Sequence, residues 1–356
     1  MHDLKRDELL KVFMLPLGPD NPYQTKLIKA LVCHDVKIKG TSKVFFINDL
    51  LKFRPDVIHF HWLQVYFLSK SKFRGFILFI LFLFQFSIIK LYRIPIVWTV
   101  HNLVNHEKKS LILDRIVSSL VAKTAKSIIA HSESAKKRIS EYFKGIDANK
   151  ITVINHGHFL DDYESDLSKS QARTALSLSQ DDFVLLFLGQ IRAYKGVSDL
   201  IDAFSLLTQH PNLRLLIAGK PHNKELQDQI NAHIGTNTHI RFIPSFIPDN
   251  EIGHYFAASD VSVLPYKSIL TSGALILAMG FAKPVIIPDI SSLMDTAATG
   301  AFFTYPTNSI DGLKNAILAA YANKETLPSM GLLNDQKARG FTWESVAIKT
   351  NEAYRL

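Results

Sequence analysis

With 356 residues, 47% of them hydrophobic, the chain can fold as two domains of ordinary size, each with its own core. Cys33 is the only cysteine, which excludes an internal disulfide and fits a reducing compartment. The surplus of 41 Lys and Arg over 32 Asp and Glu gives +9, a balance that suits phosphorylated small molecules, an anionic membrane or nucleic acid without choosing among them.

In chain order, residues 1–10 are charged and lack the apolar core of a signal peptide, so a cytoplasmic protein is expected. Six β-rich apolar runs follow: KVFMLPL (11–17), KVFFI (43–47), DVIHF (56–60), IPIVWTV (94–100), SIIAH (127–131) and ITVIN (151–155). Between the third and fourth lies GFILFILFLFQFSII (75–89), with only Gln85 and Ser87 plainly polar. Its 15 residues fall short of the ~20 that a spanning helix needs. Lys70, Lys72 and Arg74 precede it and Lys90 and Arg93 follow, which suits a helix lying in an anionic interface. A helix buried against a sheet would read the same way. Phe79 and Phe82 share a helical face, and in the interfacial reading that face meets the membrane.

Residues 156–182 are polar and charged, as a linker with one short helix should be. Six more strands are then expected: 183–189, 213–219, 240–244, 261–265, 284–288 and 301–305. Apolar runs without alternation predict parallel strands covered on both faces, and their alternation with helices predicts βαβ units. The fold class is therefore α/β. Two doubly wound, Rossmann-like domains face a cleft, one over residues 1–165 and one over 166–335. Ligands of such sheets sit at the carboxyl ends of the strands.

Four stretches carry candidate chemistry there. In FLGQIRAYKGVSDLIDAF (187–204) a strand ends at Gly189, and Arg192 and Lys195 follow on a loop before an amphipathic helix. Arg can fork onto two phosphate oxygens and Lys adds a compact charge, although a solvated basic turn looks similar. In PYKSILTSGALILAMGFAKPVIIP (265–288), Thr271, Ser272 and Gly273 stand where a helix should begin. If Ser272 caps it, the amides of Gly273 and Ala274 point toward an anion. Simple N-capping is the plainer reading. TVHNLVNHE (99–107) places His101, Asn102, His106 and Glu107 after a strand, and DVIHFHW (56–62) puts His59 and His61 on one strand face or end, where a structural role is expected.

The order of these pieces resembles the retaining glycosyltransferases of family 4, which have the GT-B fold. DVIHFHW, TVHN, IIAHSESAKKRI, ITVINHG, LRLLIAGKP and IRFIPSFIPDNEIGHYFAASDVSVLPY join the two glycine-bearing stretches above, so that the likeness covers almost the whole chain. The tail, 336–356, looks like the family's final helix, which returns to the N-terminal domain. The resemblance implies that Arg192 and Lys195 neutralise the donor diphosphate without a metal. Gly189 and the Thr271, Ser272, Gly273 and Ala274 loop cradle the same phosphates. Ile243 and Phe246 lie where the base is held. His101 approaches the donor sugar, which makes His101, Arg192 and Lys195 the expected catalytic set. Asn21, Tyr23, Gln24, His61 and Asn102 are the acceptor-side candidates.

The sequence departs from the family at one motif. Two Glu residues are usual, and Ile269 and Leu277 occupy those positions. The expected activity is that of a hexosyltransferase moving mannose or glucose from a GDP- or UDP-sugar to a glycan or lipid-linked acceptor of surface polysaccharide. The expected location is the inner face of the cytoplasmic membrane. No cofactor, metal or nucleic-acid partner is expected. A non-catalytic nucleotide- or glycan-binding protein and a UDP-sugar epimerase remain the alternatives.

Overall fold

The computed structural model describes residues 9–18, 21–105, 109–160, 162–163 and 166–356. His106 and Glu107, and the charged start over residues 1–8, lie outside the described residues. Two compact units divide the chain: Met1–Gly157 with Phe341–Leu356, and His158–Gly340.

The first unit holds strands β1 (Leu10–Leu15), β2 (Val36–Gly40), β3 (Val57–Phe60), β4 (Ile96–Thr99), β5 (Ser127–Ala130) and β6 (Ile151–Val153). They pair in parallel in the order β2-β1-β3-β4-β5-β6. The second unit holds β7 (Phe183–Leu188), β8 (Leu213–Ala218), β9 (Ile240–Ile243), β10 (Val261–Val263), β11 (Val285–Pro288) and β12 (Phe302–Tyr305). Their order is β12-β11-β10-β7-β8-β9, again parallel throughout. Chain order reverses between β7 and β10, so the loops leaving those two strands diverge and open a crevice at their carboxyl ends. In the first unit the same reversal falls between β1 and β3.

Every residue of β7 is buried, as expected of a strand with helices on both faces. One face of the sheet packs Leu185, Phe187, Leu215 and Ile217 against Val197, Leu200, Ile201 and Phe204 of the helix Val197–Ser205. Each such side chain contributes about 1.5–3 kcal/mol of burial free energy. In the first unit, the C-terminal helix Trp343–Arg355 sends Val346, Ala347, Ala353 and Tyr354 into a core with Val12, Leu27, Leu31 and Val57. Its Asn351 Nδ2 donates to the His34 carbonyl at 3.2 Å.

Two expectations are corrected. KVFFI is not a strand. The strand is Val36–Gly40, and Ile47–Phe53 is a helix. Gln85 explains why: its Oε1 accepts from the amides of Phe46 (2.7 Å) and Ile47 (3.1 Å), and its Nε2 donates to the Val44 carbonyl (3.0 Å). A buried side chain therefore takes the hydrogen bonds that a neighbouring strand would have taken. The apolar run, in turn, is a helix of 20 residues, Lys72–Leu91, capped by Ser71. Its inward face is Gly75, Phe79, Phe82, Gln85, Phe86 and Ile89, so Phe79 and Phe82 meet the core rather than a membrane. The outward face is Phe73, Phe76, Ile77, Ile80 and Phe84. Only 33% of the apolar window is buried, so packing against the sheet does not account for the composition of the helix.

Candidate active site

Glycine geometry shapes the crevice of the second unit. Gly219, after β8, has φ +149°, and a Cβ there would lie 2.0 Å from the Gly189 carbonyl oxygen. Gly189 itself has φ +128°. The chain then makes a single turn over Ala193–Lys195 and enters the next helix through Gly196 at φ +69°. A Cβ on Gly196 would fall 1.9 Å from the Pro265 carbonyl oxygen, so only glycine lets the loop after β7 lie against the loop after β10. The Lys267 amide ties the two loops by donating to the Tyr194 carbonyl at 2.8 Å.

This turn lays the Lys195 ammonium over the strand end, 3.6 Å from where a Gly189 Cβ would stand. Burial, and then the nearby Arg192 guanidinium, lower its pKa to about 8. No carboxylate among the described residues offsets that cost. Arg192 lies beside it, with Nε and Nη2 each 3.4 Å from Gln190 Oε1.

Across the crevice, the helix Gly273–Gly280 begins at Ser272, whose Oγ accepts from the Leu275 amide at 3.1 Å and bonds the Tyr266 hydroxyl at 2.9 Å. The Ser272 side chain is therefore occupied in capping. The Gly273 and Ala274 amides are the first two of the helix, ahead of the capped Leu275, and have no carbonyl within the helix to reach. Thr271 Oγ1 is buried without a partner among the described residues. Two cations, two helix-start amides and a hydroxyl thus gather at one switch point, an arrangement suited to an anion. Ile243 ends β9 with its carbonyl accepting from the Gly219 and Ser245 amides, and Phe246 beyond it is 71% exposed. Ile269 is buried, and Leu277 lines a small apolar cavity with Phe159 and Leu160. Both positions of the usual Glu pair thus serve packing.

The strand ends of the first unit are built differently. His59 and His61, His101, His131 and His156 stand at or just beyond the carboxyl ends of β3, β4, β5 and β6, and all five are buried. Tyr23 packs among them, its ring centroid 5.9 Å from His61, 5.1 Å from His101, 5.6 Å from His131, 4.8 Å from His156 and 5.5 Å from Trp343. His59 Nδ1 bonds the Tyr354 hydroxyl at 2.7 Å and its Nε2 bonds Thr99 Oγ1 at 2.8 Å. His131 Nδ1 donates to the Ile154 carbonyl at 2.8 Å, and His156 Nδ1 to the Gly157 carbonyl at 2.7 Å. His61 Nδ1 lies 3.1 Å from His101 Nε2, and the His101 ring stacks on Trp62 with centroids 4.2 Å apart. Burial is the largest cause lowering all five pKa values, to about 3 for His59 and His156, to about 4 for His131 and well below 6.5 for His61 and His101. The cluster is neutral at pH 7 and supplies no countercharge.

Asn21 and Gln24 shape the loop after β1. Asn21 Oδ1 accepts from the Gln24 amide at 3.1 Å, while the Gln24 side chain bonds the Pro16 carbonyl at 2.7 Å and the Gly18 amide at 3.0 Å. Both side chains, and the buried Tyr23, turn toward the protein. Asn102 lines a cavity of ≈20 Å³ with His61, Trp62, His101 and Asp114, room for about one water. The sequence reading left His131, His156 and Trp343 aside. For the two histidines the signal was a His at or just after the end of four successive strand motifs.

Two family models match this chain: Glycosyltransferase Family 4 over residues 39–161, and Glycosyl transferases group 1 over residues 168–332. The chain belongs to these glycosyltransferases. It is 26% identical over 293 residues to a GDP-mannose:glycolipid 4-beta-D-mannosyltransferase of Xanthomonas campestris pv. campestris, covering 82% of this chain and 77% of that one. Among solved structures, sucrose-phosphate synthase from Thermosynechococcus elongatus superposes with TM-score 0.78 at 16% identity, over 97% of this glycosyltransferase and 98% of the synthase. Anabaena HepE, solved in complex with UDP and glucose, gives 0.73 at 17% identity, over 97% and 99%. At such identities the structures establish the GT-B fold.

Proposed function

We propose that this glycosyltransferase moves a hexose of the mannose or glucose type from a GDP- or UDP-linked donor to a glycan or lipid-linked acceptor. The observation that carries the reading is the uncompensated Lys195 ammonium at the β7/β10 switch point, beside Arg192 and facing the start of the helix Gly273–Gly280. Breaking a sugar–diphosphate bond builds negative charge on the departing oxygen. Fixed cations and amides aimed at that oxygen lower the barrier without a bound metal. The relative named for GDP-mannose and the neighbour solved with UDP support a nucleoside-diphosphate donor.

The acceptor is placed at an anionic membrane surface, in surface-polysaccharide synthesis. Support comes from the outward Phe73, Phe76, Ile77, Ile80 and Phe84 of the helix Lys72–Leu91, bracketed by Lys70, Lys72, Arg74, Lys90 and Arg93. The glycolipid acceptor in the name of the Xanthomonas campestris relative points the same way.

The test is transfer of labelled hexose from GDP-mannose and UDP-glucose into lipid extracts. One donor should label a lipid product, and Arg192→Ala should slow that turnover at least about a hundredfold. Turnover within a few-fold of wild type in the variant would remove Arg192 from the chemistry. Nucleotide binding without turnover on any acceptor would favour a non-catalytic binding protein.

A further inference from the structure

We infer that His61 is a positioning residue that fixes His101 as the Nδ1–H tautomer, so that His101 offers substrate a neutral hydrogen-bond donor and not a base. The inference deepens the glycosyl-transfer reading and rests on it for the word substrate. The geometry that carries it lies wholly within the first unit.

His61 Nδ1 and His101 Nε2 are 3.1 Å apart, and one proton lies between them. Both rings are buried, so both are neutral and each carries one N–H. Two arrangements are then possible. If His101 Nε2–H donates, His61 must hold its own proton on Nε2. That atom is buried with no partner among the described residues, so the arrangement strands an N–H donor. If His61 Nδ1–H donates, His61 Nε2 is a bare lone pair and His101 carries its proton on Nδ1. Orphaned buried N–H groups are rarer in folded proteins than under-satisfied acceptors, which selects the second arrangement.

The same ring cluster contains a control. His131 Nδ1 meets the Ile154 carbonyl, which can only accept, so His131 is Nδ1–H by necessity, and its Nε2 is likewise buried and bare. His156 Nδ1 meets the Gly157 carbonyl and is fixed the same way. The rings are also held in place. The Trp98 indole donates to the His61 carbonyl at 3.1 Å, and Trp62 stacks on His101 with planes 11° apart. An imidazole whose Nε2 lone pair already accepts a hydrogen bond leaves only Nδ1–H for a substrate oxygen at these strand ends.

The experiment records two-bond proton–nitrogen NMR spectra of the full chain labelled with ¹⁵N-histidine, with the His101 signals assigned by their loss in His101→Gln. Wild type should show His101 protonated at Nδ1. His61→Asn can still donate to His101 Nε2 and should keep that tautomer. His61→Asp, when ionised, can only accept and should put a proton on His101 Nε2, as the Nε2–H tautomer or the imidazolium, with kcat falling at least about tenfold and KM little changed, a split that a general loss of folding would not give. A wild-type His101 protonated at Nε2 overturns the inference. The tautomer is read without any donor or acceptor, so failure of the glycosyl-transfer reading leaves this result intact and separately legible.

Discussion

The two units share an architecture and differ in what they place at their strand ends. In the second unit the ends of β7 and β10 carry fixed charge, with Lys195 held in a partly desolvated position that lowers its pKa to about 8. In the first unit the ends of β3 to β6 carry five neutral imidazoles packed around Tyr23. A diphosphate needs countercharge, whereas a sugar hydroxyl needs directed hydrogen bonds. The two units thus place different chemistry at the carboxyl ends of their strands, fixed cations in one and neutral hydrogen-bonding rings in the other.

The largest effect on this contrast should come from Gly196. Gly196→Ala puts a methyl 1.9 Å from the Pro265 oxygen at φ +69°, so the strain of about 1–3 kcal/mol for the backbone is joined by a steric clash. Thermal unfolding should show a clear loss of stability together with lost nucleotide binding. Gly145→Ala, at φ +82° with nothing within 4 Å, should show the backbone cost alone, about 1–2 kcal/mol, and bind nucleotide normally. Equal behaviour of the two variants would show that the loop contact is not what shapes the cradle.

A medium effect concerns pH. The Lys195 pKa is lowered in the unliganded protein, and a bound diphosphate favours the ammonium. Affinity for GDP or UDP should be level from pH 7, where the terminal phosphate is ionised, to pH 8 and then fall, by at most about tenfold per pH unit, as binding takes up a proton. Lys195→Arg should remove the decline, because a guanidinium stays charged. The histidine cluster should add no limb between pH 5 and 7, since burial keeps those rings neutral throughout that range. A decline centred near pH 6.5 would mean that the first unit is charged after all.

The smallest expected effect lies on the apolar helix. Phe76→Gln with Phe84→Gln, both on exposed positions, should weaken binding to phosphatidylglycerol vesicles while the melting temperature stays within a few degrees. Phe82→Gln, at a fully buried position, should instead lower the melting temperature. Vesicle binding that survives the first pair would detach the helix from the membrane proposal.

Much of the fold was legible because buried parallel strands announce themselves as short apolar runs between helices. KVFFI misled because its local β-propensity is real, whereas the hydrogen bonds that decide its conformation come from Gln85, far along the chain. The same Gln85 was readable as an oddity in an apolar helix but not as an anchor. The Phe79 and Phe82 pair shared a face as its spacing says. Spacing cannot tell which face is the core when both sides of a helix are apolar. At the candidate site, the order of Gly189, Arg192, Lys195 and Gly196 was visible. The close approach of Gly196 to Pro265 was not, because it joins loops from strands far apart in sequence. The inward turn of Tyr23 was hidden for a similar reason, since the rings around it come from other elements, whereas Asn21 and Gln24 bond groups of their own loop and helix start.

The measurement that bears most directly on the charged strand end is calorimetric titration of GDP and UDP into the wild-type protein and into Lys195→Ala and Arg192→Ala at pH 7. One nucleotide should bind the wild type, and each variant should weaken it by about 1.5–3 kcal/mol, roughly 10- to 150-fold, the scale of a charge-assisted hydrogen bond. Unaltered affinity in both variants would mean that the diphosphate lies elsewhere and that the cations after β7 are not its cradle.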